Sequence, residues 1–165
     1  MYISNDYGYC PYMKNLMRED SDVDLQEEPE IEATSEARAP LCQQFASILG
    51  GKVVESMPTH CMVEVKRKNL KASISGKPIE TFLGAEISYQ SVDSSGRALN
   101  LAETVVLQEE LNRFLTILRR NGIDISAVHT HWIYDNPRLM YVHFQSIENP
   151  LNFARKVSEA LKVLR

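Results

Sequence analysis

Two stretches of alternating polarity flank the turn sequence Asp135-Asn136-Pro137, and a chain that carries them has few folds open to it. Residues 125–133 read as one strand and residues 139–145 as its return. On the second strand Met140, Val142 and Phe144 share one face, and Tyr141, His143 and Gln145 share the other, because successive strand side chains point to opposite sides. The apolar set needs cover. A slip of one residue would expose all of it, so the pattern demands a packed layer on one side of the hairpin only.

That layer is legible as helices. Residues 108–121 place Leu111, Phe114, Leu115 and Leu118 on one stripe, with Glu109 and Glu110 at the positive end and Arg119 and Arg120 at the negative end. Gly122 is the expected terminator. Asn149 and Pro150 open a last helix whose buried face is Phe153, Ala154, Val157, Leu161 and Leu164. A strand over 101–107 precedes the first of these, so the C-terminal half reads β-α-β-β-α.

Upstream, Pro40 suits the first position of a helix carrying Leu41, Phe45, Ile48 and Leu49 on one face, stopped by Gly50-Gly51. Strands are expected over 52–56, 61–66, 70–74 and 85–91, with Asp93-Ser-Ser-Gly96 as a turn. The expected class is α+β: a mostly antiparallel sheet with helices on one face.

The chain has 165 residues and a net charge of −4, unevenly spread. Residues 1–38 hold ten acidic residues against Lys14, Arg18 and Arg38, a net −7, which leaves +3 for residues 39–165. The acidic stretch has too little apolar surface to offset its ordering entropy, so 1–38 is expected to be a disordered tail with a tyrosine-rich start, and 39–165 a single domain. A surplus of +3 with no basic stripe is not a nucleic-acid footprint. No apolar run is long enough to span a bilayer, and no basic and apolar leader opens the sequence, so no membrane association and a cytoplasmic location are expected. Cys10, Cys42 and Cys61 are widely spaced, and in that compartment they read as free thiols.

His129 and His131, two apart on a strand, leave the same face. If Val128 and Trp132 join Met140, Val142 and Phe144 on the covered face, His129, His131 and His143 share the open one. An odd loop pairing Asp135 with Leu139 sets His131 opposite His143, where cross-strand side chains lie about 5 Å apart. Three neutral imidazoles suit a divalent transition metal, zinc first, and three protein ligands with one open position is the pattern of catalytic zinc. Glu103 or Glu110 is the candidate fourth ligand, Glu109 being a further acid at the helix start. Without a metal, the histidines are candidates for general acid or base, or line a pocket for a small polar or anionic ligand with Arg138 as forked donor and Tyr141 beside it. His60 has nothing converging on it and reads as a packing residue. There is no phosphate loop, no Gly-x-Ser-x-Gly elbow and no cupin spacing.

The stretches Leu101-Ala-Glu-Thr-Val-Val-Leu-Gln-Glu-Glu-Leu-Asn112, Asn121-Gly-Ile-Asp-Ile-Ser-Ala-Val-His-Thr-His131 and Asn136-Pro-Arg-Leu-Met-Tyr-Val-His-Phe144 resemble the LppY/LpqO family of bacterial proteins. The matching positions include Glu103, Glu110, Asn112, Asn121, Gly122, His129, His131, Pro137, Arg138 and His143, over roughly residues 40–163. Thr130 departs from the family's Asn. The resemblance implies a domain and a candidate site and no established reaction. Three roles therefore stay open: a metal-dependent enzyme or metal binder, a metal-free anion-binding module, and an assembly protein that docks partners through its tail. The oligomeric state is not legible.

Overall fold

The computed structural model describes residues 35–164, with side chains from residue 41 onward. The acidic tail and its tyrosine cluster lie outside the described residues, except that the first helix, α1 (Ser35–Leu49), begins ahead of the expected start. Pro40 is thus inside α1 and not at its first position. Glu36, Ala37, Arg38 and Ala39 are good helix formers and extend it backward.

Nine strands and two more helices follow: β1 (Lys52–Met57), β2 (His60–Lys66), β3 (Ala72–Ile74), β4 (Lys77–Ile79), β5 (Gly84–Gln90), β6 (Ala98–Leu107), α2 (Leu111–Arg120), β7 (Asp124–His129), β8 (Asp135–Asn136), β9 (Leu139–Glu148) and α3 (Pro150–Leu161). Six strands form an antiparallel sheet in the order β1-β2-β5-β6-β9-β7, and three form a small sheet in the order β4-β3-β8. The class is α+β, as the alternation required. Among the described residues no helix is long and apolar enough to cross a membrane.

The register of the large sheet sorts its residues by face. One cross-strand row runs Val63, Ile87, Ala102, Phe144, Ile125. It lies in the main core with Phe45 of α1, Phe114 and Leu118 of α2, and Phe153 and Val157 of α3, so all three helices cover one face. Each large apolar side chain withdrawn there contributes about 1.5–3 kcal/mol. The next row runs Glu64, Glu86, Glu103, His143, Ala127 and points the other way.

The helix signals act as read. Phe114 and Leu118, four residues apart, are both fully buried. Gly50 and Gly122 take the left-handed conformation just past α1 and α2, at φ of 67° and 70°. The Asn149 side chain accepts a hydrogen bond from the backbone N–H of Leu151 at 3.0 Å, with Pro150 opening α3.

Four expectations need correction. Cys42 and Cys61 form a disulfide, their Cα atoms 5.6 Å apart, because α1 folds back onto β2 and brings two distant residues together in the core. The strand after α2 ends at His129, well short of Ile133, and residues 130–134 are a loop. Trp132 does not join Val142 and Phe144 under the helices. It packs on the opposite face beside Val105, Leu139 and Tyr141, in a second, smaller core beneath the three-stranded sheet. Val128, expected under the helices, faces their side but is more than a third exposed, since β7 is an edge strand.

Candidate metal centre

The site forms where the open face of the large sheet meets the small one. His143 sits in the middle of β9, flanked by Glu103 of β6 and Ala127 of β7. His129 pairs with Tyr141, one pleat along on the same face. The small Ala127 leaves the space opposite His143 to the diagonal neighbour, His129. Their Nε2 atoms lie 2.9 Å apart. With one ring a donor and the other an acceptor this contact is a hydrogen bond. With both lone pairs turned on a cation it is a pair of ligands.

His131 arrives by a different route from the expected strand pairing. The loop after β7 lays its imidazole flat on the ring of Tyr141, with centroids 3.5 Å apart and planes within 2°. The result still converges. The ligand nitrogens of His129, His131 and His143 all lie within 4.8 Å of one another. A tetrahedral ion held by bonds of about 2.1 Å needs nitrogen separations of about 3.4 Å, which small rotations of these rings supply. All three face solvent to some degree, so an ion and an exchangeable fourth group have a way in.

Glu103 stands against two of them. Its carboxylate oxygens are 3.6 Å from Nε2 of His131 and 3.5 Å from Nε2 of His143. From there it can complete the donor set or hold a ring in place, as carboxylates beside zinc-bound histidines do. Burial holds the His131 imidazole below the ordinary 6.5; Glu103 opposes the shift, and His129 and His143 add to it. A ring that stays neutral is the form a metal needs.

The other named residues are placed elsewhere. Glu110, at the start of α2, makes a two-pronged ion pair with Arg67, at 2.9 and 2.7 Å, and accepts the backbone N–H of Leu107. Both side chains are over nine-tenths buried. Glu110 is therefore committed to joining β2, β6 and α2, and the histidines do not include it. Arg138 pairs with Asp135 at 2.9 Å and donates to the carbonyl of Trp132, while Asp135 also accepts the N–H of Leu139. These contacts, both through Nη1 of Arg138, tie up the loop that carries His131. Tyr141 is buried, a platform for His131, and donates its hydroxyl to the carbonyl of Phe82 at 3.2 Å. Burial above all, then the charges of Glu103 and Asp135, push that hydroxyl well above the usual phenol range. His60 lies 3.4 Å from Glu55, apart from the cluster.

Sequence reasoning missed Glu64 and Glu86. Together with Glu103, His131, Tyr141 and Phe82 they line a depression of about 180 Å³ next to the histidines. The available signal was a carboxylate between apolar neighbours in each strand, Glu64 within Met62-Val-Glu-Val65 and Glu86 between Ala85 and Ile87.

Over residues 43–163 the chain matches a family model described as "Domain of Unknown Function (DUF1259)". No curated protein and no solved structure matches it.

Proposed function

For a chain that belongs to the family described as "Domain of Unknown Function (DUF1259)", we propose that the domain binds a divalent transition metal, zinc first, through His129, His131 and His143, with Glu103 in support. The observation that carries this reading is the convergence of three imidazole nitrogens within 4.8 Å on an open sheet face. Three neutral nitrogens suit a borderline-soft ion, and a fourth position would remain for water or a small polar ligand. Within the family we read the chain as one of the LppY/LpqO proteins, on Glu103, His129, His131 and His143. Arg138 is not assigned to ligand binding in this proposal, because its guanidinium is engaged by Asp135.

The test is elemental analysis of full-length protein purified without a chelator and without a histidine tag, followed by zinc titration. One equivalent bound, and lost in the triple variant His129→Ala, His131→Ala, His143→Ala, is the expected result. A stoichiometry near zero for every transition metal, unchanged by reconstitution, removes the proposal.

A further inference from the structure

We propose that a second, larger cavity beside the histidines holds a small organic anion with an apolar body, its anionic group at Lys66, Lys68 and Lys71. The cavity has a volume of about 710 Å³, which lies in the range of small-molecule sites. It is formed where the small sheet folds over the end of β2. Its floor is apolar, built by Leu70, Ala72, Ile79, Leu83 and Pro137. Its rim carries the three lysines of the run Lys66-Arg67-Lys68-Asn69-Leu70-Lys71, all exposed. Arg67 also borders it, but its guanidinium is engaged by the buried Glu110. The carboxylates at the border, Glu64 and Glu80, are fewer than the ammonium groups.

The two concavities adjoin. Glu64, Phe82 and Leu83 line both. Phe82 stands at that junction in a conformation that side chains other than glycine rarely adopt, at φ of 63°. Such a conformation is strained and persists where neighbours impose it. Here the Tyr141 hydroxyl holds the Phe82 carbonyl, and the Trp132 ring stands 5.4 Å from the Phe82 ring. A residue held under strain at a shared edge, with an aromatic side chain largely exposed, is placed to contact a ligand lying across both cavities. A ligand anchored by its anion at the lysines, with its body on the apolar floor, would extend its far end towards His131 and Glu103. That this far end meets a metal rests on the function proposed above; the binding of the anion and body does not.

The two can be tested apart. The full chain is titrated in chelator with anilinonaphthalene sulfonate, an aromatic body with one anionic group, and with its uncharged counterpart, phenylnaphthylamine. The expected result is one sulfonate dye bound per chain, weakened about tenfold or more in Lys66→Gln, Lys68→Gln, Lys71→Gln, with the neutral dye changed by less than about twofold. Surface substitutions of this kind leave the fold intact, and an unchanged circular dichroism spectrum and melting temperature confirm it. Phe82→Ala should weaken both dyes. Because the titration is run in chelator it reads this site without metal, so loss of metal binding and loss of this site are separate outcomes. Equal sulfonate affinity with and without the lysines overturns the proposal, as does absence of binding in the parent chain.

Discussion

Ile125 and His129 lie four residues apart on one strand and face opposite sides of the sheet. Ile125 pairs with Phe144 and packs against the core under the helices, while His129 pairs with Tyr141 and meets His143 on the open face. A regular strand would put both on one side. The register shift between Ile125 and Ala127 makes Ser126 an extra residue, a bulge that reverses the alternation once. By absorbing Ser126, the bulge keeps Ile125 on the core face and His129 on the open one.

Removing that residue should therefore be tolerated. With Ser126 deleted, Ile125 still pairs with Phe144 and Ala127 with His143, in a regular ladder. Zinc affinity is expected within about threefold of the parent, since neither His129 nor Ile125 changes face. A deletion variant that folds but has lost zinc binding entirely would show that the bulge itself aims His129.

Single substitutions His129→Ala, His131→Ala and His143→Ala should each lower zinc affinity by about 100-fold or more, because each removes a ligand outright, whereas loss of a supporting group already costs 10–100-fold. Their effect on the stability of the metal-free chain should stay within about 0.5 kcal/mol for the exposed His129 and His131. Denaturant unfolding in chelator, set beside zinc calorimetry, separates the two effects.

The two acidic candidates should behave oppositely. Glu110→Ala removes the carboxylate paired with the buried Arg67 guanidinium and is expected to cost about 3–5 kcal/mol of stability. Glu103→Ala should cost little stability and weaken zinc binding by about 10–100-fold. Urea melts and metal titrations of both variants decide it. A Glu110 variant that folds like the parent yet fails to bind zinc would reverse the assignment.

Reduction of the Cys42–Cys61 disulfide opens a loop of 19 residues' separation. The chain-entropy relation for a loop of this size gives about 3 kcal/mol of stabilisation. Guanidinium unfolding of the oxidised chain and of Cys42→Ala, Cys61→Ala should differ by about that amount. A difference below about 1 kcal/mol would show that α1 is held to β2 by packing alone.

In the metal-free chain His131 should titrate below 6.5, the ordinary histidine value, because burial disfavours its cation. The folded state then resists a proton that the unfolded chain accepts near 6.5. His131 contributes stability above that pH, and the contribution is lost as pH falls from 6.5 through its folded value. Magnetic resonance titration of the ring protons reads the midpoint directly. A midpoint above 6.5 would mean that the Glu103 charge outweighs burial.

What the sequence determined by itself is which residues want cover and which do not. The alternation in residues 139–145 sends Val142 and Phe144 to the helices and His143 away from them, whatever the partner strand does. The caps at Asn149 and Gly122 are local chemistry and are equally legible. That His129 and His143 share a face followed from parity. The sequence reading paired His131 with His143, and the structure pairs Ala127 with His143, a slide of four residues. An even slide keeps His129 on its face, so it met His143 although the register differed.

Tertiary structure decided everything that depends on what arrives from far along the chain. Arg67, 43 residues before Glu110, claims the carboxylate that local helix signals had left free. Tyr141 and the loop tied by Asp135 and Arg138 place His131 by ring stacking, which no strand period encodes. The small sheet, folded over one end of the open face, creates the second core and the cavity beside the histidines. Periodicity reports the face of a residue because it is a property of the local backbone. Which neighbour waits on that face is set by long-range packing, where burying one charge or ring requires a particular partner from elsewhere in the chain.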